Sequence, residues 1–198
     1  MRNEEHRNLQ PVRLAVLVEG GLIGLAWVLG SFLSQPPLAS LRWDGTDFIM
    51  GLAASVPMLG LFLALLRWPV GSLAHVRKFL LEFIRSLFGK STLTELGIIS
   101  LLAGVGEEML FRGVLQGALT RWFGPAIGLT AASVLFGLGH LISPAYALVA
   151  SLMGAYLGGL WQVSDNLLVP IVTHAVYDFL AFYCLLKLGS RKHLPPCS

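Results

Sequence analysis

Six mostly apolar stretches, at 12–34, 46–67, 93–118, 124–141, 144–163 and 166–187, constrain this chain more than any other feature. A helix crossing bilayer hydrocarbon needs about 20 such residues, because lipid offers no partner to a free backbone N–H or C=O. The breaks carry turn chemistry: Pro36-Pro37, Trp68-Pro69, Gly124-Pro125, Ser143-Pro144 and Asp165-Asn166. Across 198 residues, 55% are hydrophobic and only 13% charged. Soluble domains average about 25% charged, so a water-soluble fold is excluded, and so is an apolar-poor disordered chain. The sequence therefore predicts an all-α, polytopic transmembrane helix bundle with about six spans, forming one integral membrane domain over 1–198.

One connection differs in kind. Between the second and third spans, Leu73, Val76, Leu80, Phe83, Ile84 and Leu87 share one helical face, whereas His75, Lys78, Glu82 and Arg85 share the other. This pattern predicts an amphipathic helix in the membrane interface. Thr92-Leu-Thr-Glu95 after it has capping-box spacing and should open the third span. The apolar run Leu14–Leu33 is long for a signal peptide and lacks an Ala-x-Ala site, so it reads as a retained first span. Cys184 and Cys197 suggest neither a disulfide framework nor a zinc cluster.

Orientation follows from the basic residues. With six spans, eleven of the 14 Lys and Arg fall on one side: Arg2, Arg7 and Arg13, five in the 67–92 connection, and Lys187, Arg191 and Lys192. Arg42 and Arg121 fall on the other side, and Arg112 lies within a span. Positive loops stay cytoplasmic, which predicts both termini inside, in a plasma-membrane protein. The net charge of +3 reports this asymmetry rather than nucleic-acid binding.

Charged groups inside a span cost roughly 2.5–3.5 kcal/mol each even on lenient insertion scales. Six ionisable side chains nevertheless enter the membrane region in three clusters: Gly106-Glu107-Glu108-Met-Leu-Phe111-Arg112, Phe136-Gly-Leu-Gly-His140, and His174-Ala-Val-Tyr-Asp178. Glu108 and Arg112 are four apart and can pair on one face. Glu107 is rotated about 100° away, free for another task. Asp178 is likewise four from His174 and can orient its imidazole. Counted back from the Trp122–Gly124 turn, Glu107 lies 15 residues down one helix and His140 lies 16 down its antiparallel neighbour. The two side chains should be level, towards the cytoplasmic side. His174 falls nearer mid-depth, and Glu19 reads as reaching for Arg13 or the interface. Gly104, Gly106, Gly113, Gly117, Gly137 and Gly139 read as close-packing positions.

A carboxylate and an imidazole on adjacent helices can share a water and take its proton. A facing His–Asp pair can stabilise an oxyanion. Amide hydrolysis needs both. The alternative is a divalent metal such as zinc held by His140, His174 and a carboxylate. His-Glu-x-x-His, Gly-x-Ser-x-Gly and Cys-centred nucleophile motifs are absent. A small transporter or proton relay could also use intramembrane Glu and His, although paired broken helices in repeated halves are not evident.

The three motifs, Glu107-Glu108-x-x-x-Arg112, Phe136-x-x-x-His140 and His174-x-x-x-Asp178, resemble those of the CPBP family of intramembrane proteases. That family comprises type II CAAX prenyl endopeptidases and bacteriocin-processing or self-immunity (Abi) proteins. The resemblance covers residues 92–182, expected to be the catalytic core region. It implies that Glu107 and His140 activate water, that His174 and Asp178 stabilise the oxyanion, and that Glu108 and Arg112 shape the site. Members often carry Asn where Asp178 stands. The resemblance implies a peptide or protein substrate at the lipid bilayer, including lipidated ones, and either a metallo or a metal-independent glutamate mechanism. A non-catalytic immunity-type membrane partner is the competing reading. The tail Pro195-Pro-Cys197-Ser198 is not itself a CAAX box, because Cys197 is second from the end.

Overall fold

In the computed structural model, residues 2–190 are described, with side chains for 10–187. Cys197, Arg191 and Lys192 lie outside the described residues, as do the side chains of Arg2 and Arg7. The described residues form helices and no strand. They run α1 (Arg2–Phe32), α2 (Gly45–Arg67), α3 (Ser72–Phe88), α4 (Leu93–Glu108), a π-helical segment (Met109–Gln116), α5 (Gly117–Phe123), α6 (Pro125–Gly139), α7 (Pro144–Ser164) and α8 (Leu168–Ser190).

Four helical stretches are long and apolar enough to cross a membrane: Gln10–Phe32, Gly45–Arg67, Pro144–Ser164 and Leu168–Lys187. The other two expected passes are atypical. The rod α4–π–α5 carries the buried charges, and α6 has only 15 residues. At about 1.5 Å per residue, α6 reaches about 22 Å, short of a bilayer core of about 30 Å. The two passes that depart from plain span character are therefore those that carry the first two motifs.

The helices alternate in direction, as their end contacts show. Arg121 at the end of α5 donates to the carbonyls of Leu33 and Ser34 after α1, at 2.6 and 2.8 Å. Arg42, before α2, meets Asp165 after α7 at 3.5 Å. The opposite end carries α3 and its basic residues. As expected, Thr92 and Glu95 form a reciprocal capping box opening α4.

Helix α3 forms where the pattern predicts, but it is more than an interfacial ribbon. Ile84 and Phe88 are buried in a core cluster with Phe62, Leu96 and Leu185. Its apolar face is thus turned onto the bundle, where it closes one wall of an internal cavity.

Small residues set the spacing around the site. A Cβ on Gly104 would meet Ala175 of α8, and one on Gly106 would meet the Glu19 carbonyl of α1. Glycine at both places lets α4 approach two helices closely, as membrane interfaces commonly require. Gly139 is less constrained, with only the Phe111 ring tip nearby.

Candidate active site

The π segment places the first motif. Widened turns of this kind occur at functional sites because they re-aim side chains within one helix. Here Arg112 and Gln116, one turn apart, donate to the carbonyls of Gly154 and Gly158 on α7 at 2.9 and 3.1 Å. The segment is thereby pinned to α7 by two parallel rungs. Arg112 also donates to Glu108 Oε1 at 2.7 Å, with both side chains essentially inaccessible. This is the predicted ion pair.

Sequence spacing did not reveal what else Glu108 does. Its Oε1 also accepts from His174 Nδ1 at 2.8 Å, across 66 residues of chain. Asp178, assigned from the i, i+4 spacing to orient this ring, stands 3.5 Å from the other nitrogen, Nε2. Glu108 is therefore the closer orienting carboxylate. With Nδ1 committed, Nε2 is the nitrogen turned towards Glu107 and Asp178.

His140 is not inside a helix. Helix α6 ends at Gly139, and His140 caps it. The physical cause is local: two glycines precede it, and Ser143-Pro144 starts the next helix, so the chain turns immediately. The His140 ring is fixed by the Phe136 carbonyl, 2.8 Å from Nδ1, and by stacking on the Phe136 ring with centroids 4.6 Å apart. Phe136 in turn receives the Arg112 guanidinium at 4.6 Å and the edge of Phe111. The first two motifs thus meet at one aromatic ring. His140 Nε2 then points at Glu107 Oε2, 3.7 Å away.

His174 joins at the same level, 4.0 Å from Glu107 Oε2. The depth mismatch read from sequence has a structural resolution. His174 is about 9 Å along α8, whereas Glu107 is about 24 Å from the end of α5, at about 1.5 Å per residue. The two meet because α8 begins inside the bundle: residues 166–174 are all buried. Asn166 is held there by the Arg42 backbone and Asp47.

All four facing groups (Glu107, His140, His174 and Asp178) line one cavity of about 390 Å³. Glu107 Oε2 is buried and has no hydrogen-bond partner among the described residues. The rest of the wall is mostly apolar, with α3 contributing Leu73, Val76, Leu80 and Phe83. Further polar residues line it that motif reading left out, among them Arg77, Tyr177, Glu19 and Tyr146. Glu19 does not reach for Arg13 or the interface; it lines the cavity, with a buried, unpartnered Oε2. Tyr146, in the first turn of α7, has its ring 6.5 Å from that of His140. The sequence signal available for Glu19 was its isolation within an apolar span.

Among the described residues, no group of three or more His, Cys, Asp or Glu side chains is arranged to hold a metal ion.

Comparisons with known proteins bear on the same region. Residues 89–180 match the family model described as Rce1-like, type II CAAX prenyl endopeptidase. That range holds all three motifs and bears out the resemblance read from them. A curated relative, the uncharacterized protein YpbD of Bacillus subtilis (strain 168), is 30% identical over 106 residues, covering 52% of this chain and 51% of that protein. The chain thus spans about half the length of the curated relative it matches. No solved structure matches it.

Proposed function

We propose, from the match of residues 89–180 to the Rce1-like, type II CAAX prenyl endopeptidase family model, that this chain is an intramembrane endopeptidase. It hydrolyses a peptide bond near the membrane with a water activated by Glu107 and His140. The observation that carries this reading is the unpartnered Glu107 Oε2, faced by the Nε2 atoms of His140 at 3.7 Å and His174 at 4.0 Å inside a cavity. A carboxylate held beside an imidazole can take a proton from water as the water attacks a carbonyl carbon. The remaining residues divide the work. His174 faces the developing oxyanion, Glu108 and Arg112 hold His174, and Asp178 flanks its Nε2. Substrates are peptides or proteins at the bilayer, C-terminal CAAX-type sequences with a lipidated cysteine being the class the family points to.

The test is cleavage of fluorogenic peptides by the purified protein, with and without a lipidated cysteine, against a Glu107→Gln control. Loss of turnover in the control supports the reading. Equal turnover by both proteins removes Glu107 from the mechanism. We further propose that the basic end of the bundle is cytoplasmic. Tags at the termini should then resist external protease in sealed cells, while a tag near Arg42 should be cut.

A further inference from the structure

We infer that the Tyr146 hydroxyl is an oxyanion donor of this site, a catalytic residue outside the three motifs. The inference rests on the protease reading above. Donors are few in the cavity: beside the two histidines, only Arg77, Tyr146 and Tyr177 on its wall carry one. Glu19, Glu107 and Asp178 all line it, and an ionised carboxylate only accepts hydrogen bonds. An oxyanion forming among three carboxylates needs neutral or cationic donors aimed at it. His174 has already committed Nδ1 to Glu108, leaving one nitrogen for this purpose.

Tyr146 fits the vacant role. Ser143 Oγ accepts from its backbone N–H at 3.2 Å, which fixes the first turn of α7. From that turn the side chain lines the cavity shared by Glu107, His140, His174 and Asp178. Its phenol is within electrostatic reach of Asp178 and Glu107. A mostly buried tyrosine ordinarily places its O–H on a partner. Tyr156, also on α7, does so, donating to the Ala54 carbonyl at 2.9 Å. Tyr146 makes no hydrogen bond through its hydroxyl to any described residue. Tyr177, another tyrosine on the cavity wall and within electrostatic reach of Asp178, packs its ring edge-on against Phe62 in the apolar cluster, whereas the Tyr146 ring lies beside His140.

In the step itself, the water oxygen bonds to the substrate carbonyl carbon while its proton passes to the Glu107–His140 pair. The carbonyl π electrons move onto oxygen, which accepts hydrogen bonds from Tyr146 and His174. The electron pair then returns, the C–N bond breaks, and the proton passes to the leaving nitrogen. Water and amide become acid and amine.

The test compares kcat and KM on one fluorogenic peptide. Tyr146→Phe should lower kcat by about 10²-fold, the scale of losing one oxyanion donor, with KM and melting temperature unchanged. In an Asp178→Asn background, where the amide can itself donate, the same substitution should cost less than about tenfold. Tyr156→Phe, the structural control, should lower melting temperature and keep kcat. A folded Tyr146→Phe protein with kcat within about threefold of wild type would overturn the inference, as would an equal loss in both backgrounds. If wild type cuts no peptide, the protease reading fails on its own. Binding of a peptide phosphonate, a tetrahedral anion, then decides: binding weakened about tenfold by Tyr146→Phe supports the donor role, and equal binding overturns it.

Discussion

Two buried polar clusters among the described residues are built to opposite rules. At the end opposite α3, Asn166 is saturated. Its Oδ1 accepts from the backbone N–H of Arg42 and of Leu168, and its Nδ2 donates to the Arg42 carbonyl and to Asp47. In the cavity, Glu19 and Glu107 each keep one buried carboxylate oxygen without a partner, and Glu108 keeps another behind His174. Burying an unsatisfied polar group costs free energy, so a fold keeps few of them unless they do something. The first cluster ties loops together. The second leaves acceptors open, which on the proposed protease reading face the attacking water and the substrate.

The largest contrast should come from removing Glu107. Glu107→Gln deletes the base while leaving shape and the Glu108–Arg112 anchor intact. Loss of a general base costs on the order of 10² to 10⁴ in rate, with the melting temperature held. An equally inactive protein with a collapsed melting temperature would make Glu107 structural, like Asn166, and erase the distinction.

Arg112 tests the boundary between the rules, because it anchors the reactive cluster while being saturated itself. Arg112→Met leaves the fully buried Glu108 charge unpaired and should cost about 3–5 kcal/mol of stability. Adding Glu108→Gln should recover much of that, since Gln keeps an acceptor for His174 Nδ1 without a charge. Thermal unfolding of the single and double variants in detergent reads the difference. A double variant no more stable than the single one would argue against the buried-charge account.

Asn166→Ala is the matching experiment on the saturated side. Orphaning its four partners should cost about 1–3 kcal/mol, with kcat of the folded protein unchanged. A folded Asn166→Ala protein with kcat more than tenfold below wild type would show that seating α8 is coupled to the chemistry rather than merely beneath it.

What the sequence disclosed divides along the same line. Periodicity and turn residues gave the helical bundle, α3 and the capping box, because these depend on local spacing. Motif spacing gave the Glu108–Arg112 pair for the same reason. The bond from Glu108 to His174 was not legible, since it depends on how deep α8 begins. That depth is set by Asn166 reaching Arg42 and Asp47, more than a hundred residues away. The π segment was equally hidden, because its cause is tertiary: carbonyls on α7 accepting from Arg112 and Gln116. From spacing alone Glu19 reads as reaching for Arg13 or the interface, and Tyr146 is not singled out, because no ionisable residue stands three or four positions from either.

Asp178 carries the smallest expected effect and the sharpest mechanistic choice. Its carboxylate is 3.5 Å from His174 Nε2 and still partly accessible, whereas Glu108 holds the same ring at 2.8 Å. Asn is nearly isosteric, so Asp178→Asn leaves the ring anchored and adds a donor where the proposed oxyanion would form. Activity should stay within about tenfold of wild type, and chelators should not change it. A metal ligand behaves otherwise: replacing an anionic carboxylate by a neutral amide weakens the site, so activity falls and added zinc restores part of it. An inactive Asp178→Asn protein revived by zinc, together with a wild type silenced by chelator, would place Asp178 on a metal. It would also turn the unpartnered oxygens of the cavity from substrate acceptors into ligands.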